Sequence, residues 1–149
     1  MPDKATIARV KKAKRAGKSP STQAGEFVRE TMEDIRQGKH GARSTKQAIA
    51  IGLSKARRAG VKLPPPKPGK ASKETIEDAK RDYEAGKDPD HKTNPRRSKA
   101  TTKALKREGK SAASSSALSQ HAKASARKRT AAERSAIAKK AARTRKRNA

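Results

Sequence analysis

The amino-acid sequence predicts a mainly α-helical protein: a small helical module, built as a helix-turn-helix-like hairpin, followed by a long basic tail. Three observations support this fold class. Apolar residues recur at helical spacing before residue 85. Only 14 of the 149 residues are Leu, Ile, Val or Phe, and ten of these lie between Ile7 and Leu63. The net charge is +27, and chains of such composition are typically disordered until they bind a partner.

The first two helices are predicted from short apolar stripes. Helix 1 is expected over residues 4–16, where Ile7 and Val10 are the large apolar residues. Helix 2 is expected over residues 22–37, where the apolar residues fall on one helix face: Ala24, Phe27, Val28, Met32 and Ile35. Glycines follow both helices, and glycine readily takes the left-handed conformation that ends a helix.

Helix 3 is expected over residues 45–59. Ser44 is its N-cap and Gln47 follows three residues later, which is a capping-box pattern. Gly60 follows the helix, as glycines follow helices 1 and 2. The three prolines at 64–66 then stop regular structure and begin an extended linker.

Helix 4 and the tail contain few large apolar residues. Helix 4 is expected over residues 73–85, with Ser72 as its cap. Beyond it, Leu, Ile, Val and Phe occur only three times, so the tail is expected to be disordered, or to become helical when it binds a polyanion. Thr130 with Glu133 would cap a last helix over residues 131–145.

These patterns divide the chain into five segments. They are a basic N-terminal helix (1–19), the helical hairpin module (20–63), a Pro-rich linker (64–72), an amphipathic helix (73–86) and the basic tail (87–149). Two weakly acidic stretches, 21–38 and 71–90, separate three basic ones. The large apolar residues are concentrated in the hairpin module, so we expect the core there.

The sequence contains few residues suited to catalysis or metal binding. There is no cysteine, and neither Gly-Lys-Ser sequence has the upstream glycine of a phosphate-binding P-loop. His40, His91 and His121 are far apart and lack partners at the spacing of a metal site. We therefore expect a protein that is not an enzyme and that uses no cofactor or metal.

The strong positive charge indicates a polyanionic partner, most simply nucleic acid. The turn from Gly38 to Lys46 is a candidate site, because glycines let a phosphate approach the backbone and a helix N-terminus favours an anion. The alternative is an ordinary interhelical turn with solvated cations. The candidate contacts in this region are Lys39, Gly41, Arg43, Ser44, Thr45 and Lys46, followed by Lys55, Arg57 and Arg58 on helix 3.

Two clusters in the tail are further candidates for contact with nucleic acid. They consist of basic residues close together in the sequence: Arg127, Lys128 and Arg129, and then Lys139, Lys140, Arg143 and Arg145. Such cations would bind phosphates and release counterions. The contribution of this release to the binding free energy does not depend on base sequence.

Two stretches of sequence carry a resemblance. Residues 19–30 and, above all, KHGARSTKQAIAIGLSKARRAGVKLPPP at 39–66 resemble an uncharacterised family of small basic bacterial proteins. The tail resembles the Lys/Ala-rich tails of histone-like proteins. The first resemblance implies a bacterial origin and no particular activity, and the second implies DNA binding.

The expected function is therefore sequence-nonspecific DNA binding by a nucleoid-associated or histone-like protein in the cytoplasm. Duplex is favoured over single strands because the chain has only one Phe and one Tyr for base stacking. No apolar run is long enough to span a membrane. One alternative is an RNA-binding or ribosome-associated protein. Another is a protein adaptor that uses Phe27, Val28 and Ile35 as an exposed stripe.

Overall fold

The computed structural model describes residues 2–88 and 90–148. Met1, Pro89 and Ala149, which belong to the predicted N-terminal helix segment and tail, lie outside the described residues. Within the described residues the structure contains helices and no strand, which confirms the mainly helical class. The α-helices are α1 (Lys4–Arg15), α2 (Pro20–Arg36), α3 (Thr45–Arg58), α4 (Lys73–Ala85), α5 (Pro95–Lys106), α6 (Ser115–Arg127) and α7 (Ala131–Asn148), and a short 3-10 helix spans Ser111–Ala113.

Serine caps set the N-termini of α2, α3 and α4. The Oγ atoms of Ser19, Ser44 and Ser72 each accept a hydrogen bond from the backbone N–H three residues later. Each cap satisfies one of the N–H groups that a helix leaves without a partner. The caps predicted at residues 44 and 72 are confirmed, while α2 begins two residues earlier than expected, because the cap is Ser19 and proline takes the first helical position.

The chain forms two compact units, and the first ends at Ser114. In the first unit α3 packs along α2, α1 packs on α2, and α4 packs on α3. One cluster of the core contains the buried residues Ala24, Phe27, Ala56 and Val61, with Ile7, Val10, Leu53 and Leu63 packed against them. Because α1 supplies two of these side chains, the core extends beyond the predicted module at 20–63.

The crossing of α2 and α3 depends on a glycine. A Cβ atom built on Gly52 would lie 2.6 Å from the Cα atom of Val28, which is shorter than any van der Waals contact. The absence of a side chain at residue 52 therefore lets the two helix backbones approach closely. Phe27 and Ile35 of α2 are completely buried. The adaptor alternative required an exposed stripe of Phe27, Val28 and Ile35. Most of this stripe lies in the interior.

The second unit begins at Ser115 and contains α6 and α7. Neither helix contains a buried residue. A reciprocal capping box starts α7: the Thr130 N–H donates to Glu133 Oε2 (2.8 Å), and the Glu133 N–H donates to Thr130 Oγ1 (3.2 Å). The cap predicted for the last helix is confirmed, and that helix extends three residues further than expected, to Asn148.

The expected disorder of residues 87–149 is not supported, because α5, α6, α7 and the 3-10 helix occupy most of this range. Three physical features favour order. Alanine has the highest intrinsic helix propensity and is frequent here. Asn94 caps α5 through two backbone N–H groups, and Ala112 and Ala113 are buried in the first unit. No helix in the described part of the chain combines the length and apolar character of a membrane span.

Candidate nucleic-acid interface

The turn between α2 and α3 is covered by a distant segment of the same chain, residues 105–113, which we call the latch. Ala112 and Ala113 of the latch are 4% and 0% exposed. Four hydrogen bonds join latch carbonyls to this region: from Gly41 N–H to Leu105 (2.8 Å), Ala42 N–H to Gly109 (3.1 Å), Thr45 Oγ1 to Ala112 (2.7 Å) and Arg36 Nε to Ala113 (2.9 Å).

Gly41 is the point of closest approach between the turn and the latch. A Cβ atom at this residue would lie 1.9 Å from the carbonyl oxygen of Glu108. From the sequence, a phosphate is expected to approach the backbone here. In the structure the N–H groups of Gly41 and Ala42 are instead bonded to the chain's own carbonyls. The groups that bind these two N–H groups are backbone carbonyls of the latch.

One N–H group at the N-terminus of α3, that of Gln47, is satisfied from within the chain. The Gln47 N–H donates to Ser44 Oγ, and Gln47 Oε1 accepts from the Arg43 N–H at 2.7 Å. Thr45 is buried, with its hydroxyl bonded to the latch. The side chains of Arg43 and Lys46 are exposed. Of the predicted turn site, these two cations therefore remain available to a partner.

Lys39 and Lys55 form ion pairs with carboxylates of α2. The Lys39 Nζ lies 2.7 Å from Asp34 Oδ1, and the Lys55 Nζ lies 3.3 Å from Asp34 Oδ2 and 3.6 Å from Glu30 Oε1. Burial raises the pKa of Asp34, but the hydrogen bonds and charges of the two lysines outweigh it and lower the pKa below its ordinary value. The hydrogen bond to Asp34 raises the pKa of Lys39. Lys55 thus ties α3 to α2.

Arg57 and Arg58, at the end of α3, also contact their own chain. Arg58 Nε lies 2.6 Å from Asp82 Oδ1 of α4, and Arg57 Nε donates to the Leu63 carbonyl at 3.2 Å. Burial lowers the pKa of the Arg57 guanidinium, against the charge of Asp82, which raises it. An arginine remains charged under such conditions. Both side chains therefore join α3 to the segments that follow it.

The candidate residues in the tail are all exposed. Arg127 ends α6, and Lys128 and Arg129 follow it. On α7, at about 100° per residue, five cations fall within an arc of about 120°. We call this set the α7 stripe: Lys139, Lys140, Arg143, Lys146 and Arg147. It contains three predicted residues and two that the sequence analysis omitted, whereas the predicted Arg145 lies on the opposite face.

A second basic face lies on α5 and was missed. Four of its exposed cations have the spacing i, i+3, i+7 and i+10, which places them on one side of the helix. We call them the α5 stripe: Arg96, Lys99, Lys103 and Lys106. The same periodicity rule that is applied to apolar residues would find these cations in the sequence.

Residues 11–68 are similar to a family of unknown function (DUF6496). The matched range includes α2, α3 and the turn between them, and it ends before α4 begins. It therefore covers the part of the chain in which the uncharacterised-family resemblance is strongest and excludes both basic stripes. No curated protein and no solved structure matches the chain at a significant level.

Proposed function

We propose that this protein binds duplex DNA without sequence preference, as a nucleoid-associated or histone-like protein of the cytoplasm. The α7 stripe is the observation that carries the proposal. Its five cations are exposed along one helix face, and within the described residues none of them forms an ion pair with a carboxylate. A row of unpaired cations matches the regular negative charge of a duplex backbone.

The division of charge between the two units supports the same function. In the first unit, carboxylates pair with cations and hold helices together, as Asp34 does with Lys55 and Asp82 with Arg58. Residues 115–149 contain eleven Lys and Arg and one Glu. The second unit thus has a large excess of positive charge, and neutralisation by phosphates would relieve the repulsion along α7.

The side chains available favour duplex over single strands. Single-strand binders stack bases on aromatic rings. Phe27 is completely buried, and Tyr83 is half-buried with the Lys87 ammonium 4.6 Å from its ring centre. The α7 stripe contains only Lys and Arg, which suit phosphates, and phosphate contacts carry no base information.

The test compares two triple variants with the same loss of charge. One removes three charges from the α7 stripe (Lys139→Gln, Lys140→Gln, Arg143→Gln). The control removes three exposed charges in and just before the linker (Lys62→Gln, Lys67→Gln, Lys70→Gln). Binding of each variant to a fluorescent 20-base-pair duplex of random sequence is measured over a range of salt. If each stripe cation contacts a phosphate, the exponent of the salt dependence falls by about 2.7 for the stripe variant. The control should change much less.

Three results would contradict the proposal. Equal losses in the two variants would mean that charge acts diffusely and that the stripe is not an interface. A protein that does not bind duplex DNA even at low salt would have another partner. Displacement of the duplex by single-stranded or structured RNA at far lower concentration than by unlabelled DNA would make RNA the partner.

A further inference from the structure

The α5 stripe is a candidate for a second, separate nucleic-acid surface. Residues 91–107 contain seven Lys and Arg and no Asp or Glu, and α5 has no buried residue. A shallow hollow on this helix combines cations with hydroxyl groups; it is lined by Ser98, Lys99, Thr102, Lys103, Lys106 and Arg107. Phosphate oxygens accept hydrogen bonds from both kinds of group. This face therefore offers the chemistry of a phosphate-binding surface.

The latch fixes α5 to the first unit. The carbonyl of Leu105, in the last turn of α5, accepts the Gly41 N–H at 2.8 Å, and the Thr45 hydroxyl donates to Ala112 seven residues later at 2.7 Å. A basic helix that is held at one end loses less conformational entropy on binding than a free tail does. The anchored α5 stripe thus has an advantage over a disordered segment of equal charge.

The two stripes lie in different compact units, α5 in the first and α7 in the second. Each is also short: the α5 stripe extends about 15 Å and the α7 stripe about 12 Å along its helix. A duplex carries about nine charges in 15 Å, so neither stripe neutralises the duplex beside it. Each unit therefore has its own one-sided basic face, and each face leaves most phosphates of a duplex beside it unpaired.

We propose that α5 is a second duplex-binding surface and that the chain, through α5 and α7, joins two duplexes. This inference rests on the proposed function, since it needs α7 to bind DNA. The substrate class becomes two neighbouring DNA segments rather than one. Where both segments belong to one DNA molecule, binding of the first raises the local concentration of the second.

The experiment measures capture of a second duplex. A short duplex is immobilised, the full-length protein is added, and binding of a differently labelled duplex is recorded. The α5 variant carries Arg96→Gln, Lys99→Gln, Lys103→Gln and Lys106→Gln. The matched control removes four exposed cations from one face of α1 in the same unit: Lys4→Gln, Lys11→Gln, Lys12→Gln and Arg15→Gln. Helical circular dichroism verifies that both variants are folded.

Wild type and the α1 control should capture the second duplex, and the α5 variant should capture at least about tenfold less while it still binds the immobilised one. The α7 triple variant should lose capture as well, because both surfaces are required. Wild type that binds the first duplex and captures no second one would overturn the inference and leave the proposed function intact. An equal loss in the α1 control would overturn the assignment to α5, and absence of binding to any duplex would overturn both proposals.

Discussion

Replacement of Gly41 by alanine tests the contact between the turn and the latch. The added Cβ atom would lie 1.9 Å from the Glu108 carbonyl oxygen and 2.6 Å from the Gly109 carbonyl oxygen. The shortest ordinary contacts of a carbon with a carbonyl oxygen are about 3.3 Å. Both obstacles are backbone atoms and cannot rotate away. The latch must therefore move on the order of 1.4 Å, which breaks hydrogen bonds of about 3 Å.

The expected cost follows from what the latch contributes. Three hydrogen bonds from the turn and α3 contribute about 1 kcal/mol each, and the two buried alanine methyl groups contribute about 0.8 kcal/mol each. The conformational entropy that the released latch regains offsets part of this sum. We therefore expect Gly41→Ala to lower the free energy of unfolding by about 1–3 kcal/mol.

Urea denaturation and amide hydrogen exchange together measure this effect. The amides of residues 105–114 should exchange faster in the variant, while the central amides of α2 and α3 stay protected. The control is Gly25→Ala in α2, where a Cβ atom meets nothing within 4 Å and should add about 0.5–1 kcal/mol of stability. A Gly41→Ala protein as stable as wild type, with the latch amides still protected, would refute the close approach.

Two further substitutions test other contacts of the first unit. Gly52→Ala should lower the free energy of unfolding, measured by urea denaturation, by about 1–3 kcal/mol. The reason is that the added Cβ would lie 2.6 Å from the Cα of Val28, which outweighs the better helix propensity of alanine. A gain in stability would contradict the close α2–α3 crossing. In the Asp34→Asn variant the melting temperature should fall less than in wild type as the pH is lowered into the acid range. The folded pKa of Asp34 is lowered, so its contribution is present above the unfolded pKa of about 3.9 and is lost as pH falls through the folded pKa. The melting temperatures of the variant and of wild type from pH 7 to 2.5 measure this pH dependence, and Asp90→Asn, at an exposed residue, is the control. Identical profiles for Asp34→Asn and wild type would show that the ion pairs of Asp34 do not form.

The local features of the fold could be predicted from the sequence, because local signals determine them. Ser44 caps α3 as predicted, although the Gln47 side chain accepts from the Arg43 N–H and not from the Ser44 N–H of a reciprocal capping box. Gly60 takes the left-handed conformation with φ of 82° after the same helix. The pairing of α2 with α3 follows from the concentration of large apolar residues in those helices. Each of these predictions depends on residues that are close together in the chain or on a simple periodicity.

The latch could not be predicted, because its contacts join residues 64–77 positions apart and use mainly backbone groups. Its buried residues are the alanines at 112 and 113, and two alanines in a Lys/Ala-rich tail give no distinct signal. The expectation of disorder failed for a related reason. That expectation depended on the number of large apolar residues. The helices of the tail depend instead on the helix propensity of alanine and on polar caps, which this number does not include.

The latch also changes which groups of the turn can contribute to DNA binding. Backbone N–H groups of the turn could bind a phosphate, but those of Gly41 and Ala42, which precede the N-cap of α3, are bonded to the latch. Arg43 and Lys46 are exposed cations, so under the proposed function they would attract a phosphate through charge. The turn would also act on the proposed DNA binding indirectly, because it anchors the latch, which contains the end of α5. A substitution at residue 41 that leaves the net charge unchanged would act on the second duplex through α5 rather than by removal of a phosphate site.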